Sequence, residues 1–318
     1  MAARASRSAS RKARATEAVA TGPLGALSHD ELGVIFDGLA DPLQPVVAVA
    51  LSSTCLGLRT PLREALKVLQ ARHEKAKALC RKMQTSCAAL RVAENLDLFE
   101  KSLNADDMST LGMILRTNGL PWLEQLVLAN HNGRGVGDAG MQALCEGLGS
   151  GAALSLATFD LAFNEIGPAG AAAFAAAVSR GAMPKLDFLF LNDNPIGNQG
   201  VAALAAPLRR LPALCLLDLG LCGIGDEAVA SLFADLGKDD FKQLKNVDLN
   251  SNHVTDKGCD TLVAAIDSIA QPLIELVNVM ESTPASGAAQ QSVQDAVDRA
   301  VARRAASRAA DASVDASQ

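Results

Sequence analysis

Three groups of residues have types and spacings that could do chemistry. The first is Gly135-Val136-Gly137-Asp138-Ala139-Gly140, a G-x-G-x-x-G placed between the strand-like LEQLVLAN and the helix-like MQALCEGL. Such a turn lets backbone approach a pyrophosphate at a helix N-terminus, and Asp160, twenty residues beyond Gly140, stands where a ribose-binding acid would be expected. The second group is the four histidines (29, 73, 131, 253) and seven cysteines (55, 80, 87, 145, 215, 222, 259), which could supply bases, nucleophiles or metal ligands. The third is a periodic set of acids, Glu124, Asp160, Asp187, Asp218 and Asp248, which flanks Phe188, Phe190 and Leu216.

The first two groups fail on internal comparison. Gly137-x-x-Gly140 has copies at Gly167-x-x-Gly170 and Gly197-x-x-Gly200, and Asp160 has copies at Asp218 and Asp248. Only Gly135 is extra. The histidines are scattered, and the chain contains no H-E-x-x-H, G-x-S-x-G, P-loop or C-x-x-C. His73 interrupts an apolar helical stripe with no second ligand at helical spacing, so a hydrogen-bonded histidine is expected there. His131 and His253 could share a rim but have no third ligand. The reading from these residues is no cofactor, no metal and no catalytic set.

What positions the third group is a repeat. Leu186 to Ile196, LDFLFLNDNPI, carries leucines at its first, fourth and sixth places, Asn at the ninth and an apolar residue at the eleventh. The phrase starts again at Ala93, Leu123, Leu156, Leu214, Leu244 and Ile274, and each of the first six units continues into a segment with apolar or small residues four apart. Period two followed by a four-residue spacing is strand then helix, and the repetition makes the whole a solenoid. Asn164, Asn194 and Asn252 at the ninth place are expected to form a ladder that hydrogen-bonds the turns. Cys222 occupies that slot as a structural thiol, while Lys101, His131 and Ser282 break the ladder. HNGRG before Val136 is a three-residue insertion, either a partner-reaching loop or simple drift in length.

With Ile166-Gly167, Ile196-Gly197, Ile224-Gly225 and Val136-Gly137-Asp138 following the ninth place, the units resemble the ribonuclease-inhibitor class of leucine-rich repeats. The resemblance implies an α/β solenoid, curved, with a parallel sheet on the concave side and helices on the convex side. It is specific for fold and poor for function.

Four regions follow. Residues 1–23 are a basic Arg/Ser-rich tail, expected to be disordered, with an organelle transit peptide or a weak nuclear signal as other readings. Residues 24–92 are a helical cap. Within it LSHDEL, Ile35-Phe36 and Leu51 to Cys55 resemble an F-box, although Ser28 stands where that family has proline and no tryptophan precedes Arg59. Residues 93–282 hold six full repeats and a terminal strand. Residues 283–318 are an Ala-rich helix and tail.

A net charge of −6 argues against nucleic acid as a partner, and no apolar run is long enough to cross a membrane. An odd cysteine count without paired motifs fits a reducing compartment, cytoplasmic or nuclear. The remaining surface is the concave one. Strand places two, three, five, seven and eight hold eleven acids and one base, Lys245, around an apolar centre. The expectation is a non-enzymatic, monomeric protein-binding module. Its partner carries a basic patch and docks on Phe188, Phe190, Leu216, Glu124, Asp160, Asp187, Asp218 and Asp248. The F-box likeness further implies a substrate receptor of a cullin-type ubiquitin ligase, with Leu27 and Leu32 binding the cullin-linker subunit. A Ran-type GTPase activator and a structural subunit of a larger assembly are the alternative readings.

Overall fold

Seven three-residue strands form where the repeat places them. They are β1 Asn95–Asp97, β2 Gln125–Val127, β3 Thr158–Asp160, β4 Phe188–Phe190, β5 Leu216–Asp218, β6 Asn246–Asp248 and β7 Leu276–Asn278. All are parallel and lie side by side in chain order in one sheet. The computed structural model describes residues 31–32, 35–36, 39–53, 62–117, 120–130, 135–149, 151–268, 273–279 and 284–315. Pairing is in strict phase, so Leu96, Leu126, Phe159, Leu189, Leu217, Val247 and Val277 make one buried row across the sheet. A slip of one residue would turn this row to solvent, which is why the register is unique.

Each of the first six strands leads into a helix, and each helix returns the chain to the next strand. In order they are α4 Ala105–Arg116, α5 Gly137–Gly147, α6 Pro168–Ser179, α7 Gly197–Arg209, α8 Asp226–Phe233 and α9 Asp256–Asp267. Their inward residues four apart are buried as the spacing demands: Leu111 with Leu115, Leu144 with Leu148, Phe174 with Val178, Leu204 with Leu208. The fifth unit departs from the pattern. Helix α8 stops at Phe233, so Leu236, expected on its inner face, lies beyond it. There Phe233 packs on Phe241 instead, with ring centroids 5.8 Å apart.

Between coils the asparagine ladder takes the expected form. Asn194, 1% exposed, accepts from the backbone N–H of Asn164 and Ile166, and donates to the carbonyls of Leu161, Leu191 and Asn192. Asn164 and Asn252 do the same for their own turns. One amide thus satisfies buried groups of two coils, each of which would cost about 1–3 kcal/mol if left unpaired. Cys222 supplies a weaker rung, its thiol donating to Leu191 O at 3.2 Å. Burial pushes this thiol up to about 12, so it is inert.

A second ladder runs along the helix starts. The carboxylate of Asp138 accepts from the N–H groups of Gly167 and Gly170, both at 2.7 Å. Asn198 accepts from Gly225, Asp226 from Thr255, and Asp256 from Ser286. The first turns of α5, α7, α8 and α9 therefore each cap the next coil, which explains their Asp or Asn, while α6 opens with Pro168 instead.

By contact the chain divides into two compact units, Met1–Ala88 and Ala89–Gln318, so the division falls just before the expected residue 92. In the second unit the C-terminal segment is a full helix, α10 Gly287–Asp315. It buries Val293, Ala296, Val297 and Ala300, packs on α9 and β7, and pairs Arg299 with Asp267 at 2.6 Å. The first unit is helical, with α1 Val46–Ser53 and α2 Arg63–Lys82. After α2 comes a short turn and then α3 Cys87–Arg91, so the apolar seam from Leu62 to Leu90, whose spacing suits one long helix or two packed ones, is divided between two helices. Leu32, Phe36, Ala40, Ala48, Leu62 and Leu69 make the core of this unit. His73 donates from Nδ1 to Pro42 O at 2.7 Å, the structural role expected of it.

Candidate protein-binding face

Strand residues alternate faces, so with the leucine row buried the third and fifth places must stand on the other side of the sheet. Phe188 and Phe190 do so, both half-buried on either side of the fully buried Leu189. Phe188 lies in register between Thr158 and Leu216, whereas Phe190 lies between Asp160 and Asp218. Adjacent strands are about 4.8 Å apart, so one aromatic ring is flanked on both sides by carboxylates. Asp248 continues that row beside Asp218. Glu124 and Asp187 stand at the opposite, N-terminal ends of their strands, Glu124 exposed and Asp187 half-buried.

The fifth-place acids also have work inside the fold. Asp97, Asp160, Asp218 and Asp248 each accept from the N–H two residues on, at 2.8–3.0 Å, closing the turn that ends the strand. Their periodicity is therefore structural in origin, while the charge they place on the face is a consequence. Among the described residues no basic side chain pairs with Asp193, Asp218 or Asp248. Lys245, the one base of the face, sits 4.0 Å from Glu275, which Arg304 also approaches at 3.3 Å. Asp218 shows the strain. Burial first, then the neighbouring Asp248, Asp193 and Asp160, push its carboxyl up to about 6, against the lowering effect of the Gly220 N–H. Burial likewise raises Asp187, against its bond to the Cys215 thiol.

The sign of this shift sets a prediction. A carboxyl whose folded pKa lies above its unfolded value binds more protons when folded, so it disfavours the fold increasingly as pH rises from about 4 through about 6. Asp218→Asn keeps an oxygen for the Gly220 N–H and removes the charge. It should stabilise the repeats at pH 7 by on the order of 1 kcal/mol, since partial exposure screens the effect, with no gain left at pH 4. Paired urea melts at the two pH values measure it. A gain that is equal at both would show that charge is not the cause.

Two more residues that the sequence places in the apolar centre, Phe163 and Leu221, stand at the rim. The eighth place turns the chain with positive φ, and here it holds Glu100, Phe163, Asp193, Leu221 and Ser251, at φ 53–58°. Phe163 (58°) and Leu221 (53°, 52% exposed) are bulky residues in a region that usually favours Gly or Asn. They extend the apolar centre towards the strand C-termini.

The linker-binding candidates fare differently. Leu27 lies outside the described residues. Leu32 is 5% exposed, inside the core of the first unit, so it cannot present an exposed contact. Helical spacing turns Leu32, Phe36 and Ala40 inward together. The exposed large apolar residues among the described residues of that unit are instead Ile35, Leu39, Val46, Val47, Val49 and Val68. The insertion, apart from Gly135, also lies outside the described residues. At the glycine-rich turn, Gly137 (φ +61°) donates to Asn164 O, and the Asp138 carboxylate takes the N–H groups of the following helix start. An acid of the chain itself thus occupies the N-terminus of α6, the helix of the following coil.

A family described as Leucine Rich repeat matches residues 154–175, 183–205, 216–233 and 244–263. The coils are leucine-rich repeats. The four matched stretches span the central strands and helices β4 to α9, together with the end of the second coil and most of the third. Among solved structures the leucine-rich-repeat chain is similar to one in the crystal structure of the Rad7 and Elc1 complex in yeast. The likeness has 17% identity and a TM-score of 0.43, and it covers 59% of this chain and 42% of that one. The chain therefore spans less than half the length of that neighbour. Comparison with curated proteins finds no match.

Proposed function

We propose that this leucine-rich-repeat protein is a non-enzymatic docking platform whose exposed sheet face holds a protein partner through a basic and apolar segment. The observation that carries the reading is Phe190 held in register between Asp160 and Asp218, beside Phe188 and Leu216. A guanidinium or ammonium laid on that ring meets a π face and two carboxylates at once. Asp218 gains most, because a partner's cation favours the charged form that burial, and then the neighbouring acids, disfavour, so affinity should climb as pH rises through about 6. An apolar centre with a charged rim is the usual anatomy of such an interface.

A second reading concerns the first unit. Helix α1 exposes Val46, Val47 and Val49 and buries Ala48, so all three of its valines face outward. Together with Ile35 and Leu39 this is more apolar surface than a free helix tolerates well. The F-box likeness gives it an occupant, the linker subunit of a cullin-type ligase, with the sheet face then receiving the substrate. The reading implies a cytoplasmic or nuclear protein.

Photo-crosslinking tests the main reading. A benzophenone residue at Asn246, on the sheet face, should trap the partner, while one at Ala172, on the exposed side of α6, should not. Trapping from Ala172 alone would refute the sheet face as the site. For the second reading, Val46→Ser with Val47→Ser should abolish copurification of the linker subunit and leave crosslinking at Asn246 intact.

A further inference from the structure

Among the described residues one pair of thiols is in contact, and neither belongs to the docking face. Cys80 Sγ and Cys87 Sγ lie 3.5 Å apart in the first unit. Cys80 is in the last turn of α2 and Cys87 opens α3. The turn between them is tight. Met83 N–H donates to Leu79 O, Gln84 N–H to Arg81 O and Thr85 N–H to Cys80 O, with Gln84 at φ +60°. This folds residue 87 back onto residue 80, which a continuous helix, with its seven-residue offset of about 10 Å, would hold far apart. Of the other described cysteines, Cys145, Cys222 and Cys259 are buried, Cys215 is half-buried, and none has a second thiol beside it.

We propose that Cys80 and Cys87 are an oxidisable dithiol, closed to an intramolecular disulfide by low-molecular-weight disulfides such as oxidised glutathione. The two residues differ in a way that sets the order of events. Cys87 is half-buried and open to a small oxidant, whereas Cys80 is 2% exposed and its thiol is pushed up to about 12 by burial and by Cys87. The Cys87 thiolate attacks one sulfur of the glutathione disulfide, forming a mixed disulfide and releasing one glutathione thiolate. Cys80 then loses its proton to that thiolate or to solvent and attacks the Cys87 sulfur. The Cys80–Cys87 bond forms and the second glutathione leaves. Two thiols are oxidised, and one disulfide is reduced to two glutathiones. The sulfurs need approach by only about 1.5 Å to reach bonding distance, and the loop closed is short. That loop is the turn Met83–Ser86, so the bond would staple the segment by which the helical unit continues into the repeats.

Proteolysis gives a direct readout on the full chain. Arg81 and Lys82 lie between the two cysteines, so trypsin separates residues 78–81 from residues 83–91. After incubation in glutathione redox buffer, with free thiols then alkylated, the wild type should yield these two peptides joined, lighter by two hydrogens. The reductant dithiothreitol should separate them. Cys80→Ser should stop at a glutathione adduct on Cys87, and Cys87→Ser should leave Cys80 alkylated and unlinked. Hydrogen exchange of residues 83–88 should slow by at least severalfold on oxidation of the wild type alone. If both peptides remain fully alkylated in buffer oxidising enough to close ordinary vicinal dithiols, the pair is a structural contact and the proposal fails. It fails equally if the adduct persists on wild-type Cys87 without linkage. Should either serine variant lose its helical circular dichroism, the wild-type peptide map alone still decides between these outcomes.

Discussion

Leu189→Asp should unfold the leucine-rich-repeat unit, while Phe188→Asp, one residue earlier, should leave it folded. Leu189 is fully buried at the centre of the aligned row, between Phe159 and Leu217. Removing its side chain from the core costs about 2–3 kcal/mol, and an unpaired carboxylate there costs several more. A domain of ordinary stability has about 5–15 kcal/mol to lose. The position matters as much as the sum. Each coil is stabilised by its neighbours, so a break in the fourth of seven strands leaves two short arrays with open edges. Phe188 is only half-buried, and its replacement changes the exposed face, so its effect on the melting temperature should be a few degrees at most. Circular dichroism melts of both variants measure the contrast. Comparable loss in both would mean that the two faces of the sheet have been exchanged.

The sharpness of that contrast comes from what was legible in the chain. All seven strands lie at the third to fifth places of the phrase first seen at Leu186, because a parallel solenoid leaves no freedom in register. The ninth-place asparagines were legible for the same reason, since only a buried amide can serve two turns at once. Helix ends were less so. Leu236 kept the spacing, but α8 stops at Phe233, where tertiary packing of Phe233 on Phe241 outweighs the local pattern.

The candidate site was legible in part, and the physics explains the division. Which residues face outward followed from alternation, so Phe188, Phe190, Leu216 and the fifth-place acids Asp160, Asp218 and Asp248 stand on one face. The double duty of Asp160, Asp218 and Asp248 did not follow, because a turn bond to the second N–H onward depends on φ and ψ at the strand end. The exposed surface of the first unit was misjudged at Leu32. A short helical segment with apolar residues at 32, 35, 36 and 39 has two plausible inward faces, and only the packing of α1 and α2 chooses Leu32 and Phe36. The contact of Cys80 with Cys87 was invisible, since the spacing suits one long helix or two packed ones and does not place a turn, and it is the turn at Gln84 that brings them together.

The largest effect on binding should come from the two phenylalanines, and it should differ in kind from that of the acids around them. Phe188 and Phe190 share a central strand, flanked by three strands on each side, where an anchor is best shielded from water. Truncating such an anchor commonly costs about 2 kcal/mol or more, roughly thirtyfold in affinity, and the loss falls on the off-rate because it removes contacts made only in the complex. Phe188→Ala with Phe190→Ala should therefore shorten the lifetime of the complex by at least that factor and leave association nearly unchanged. Asp160→Asn with Asp218→Asn and Asp248→Asn asks the opposite question. Each Asn keeps an oxygen for its turn N–H, so the backbone bonds to Ala162, Gly220 and Asn250 survive and only charge is lost. Fields of exposed charge are screened beyond about 8 Å in physiological salt, so these acids act chiefly on encounter. The triple variant should associate more slowly, with a flatter dependence on salt, and the binding gain between pH 5 and 7 should shrink with it. Surface plasmon resonance at two salt concentrations and two pH values separates the arms. Binding that ignores both sets, yet falls when exposed residues of the helices are changed, would move the partner to the other side of the solenoid.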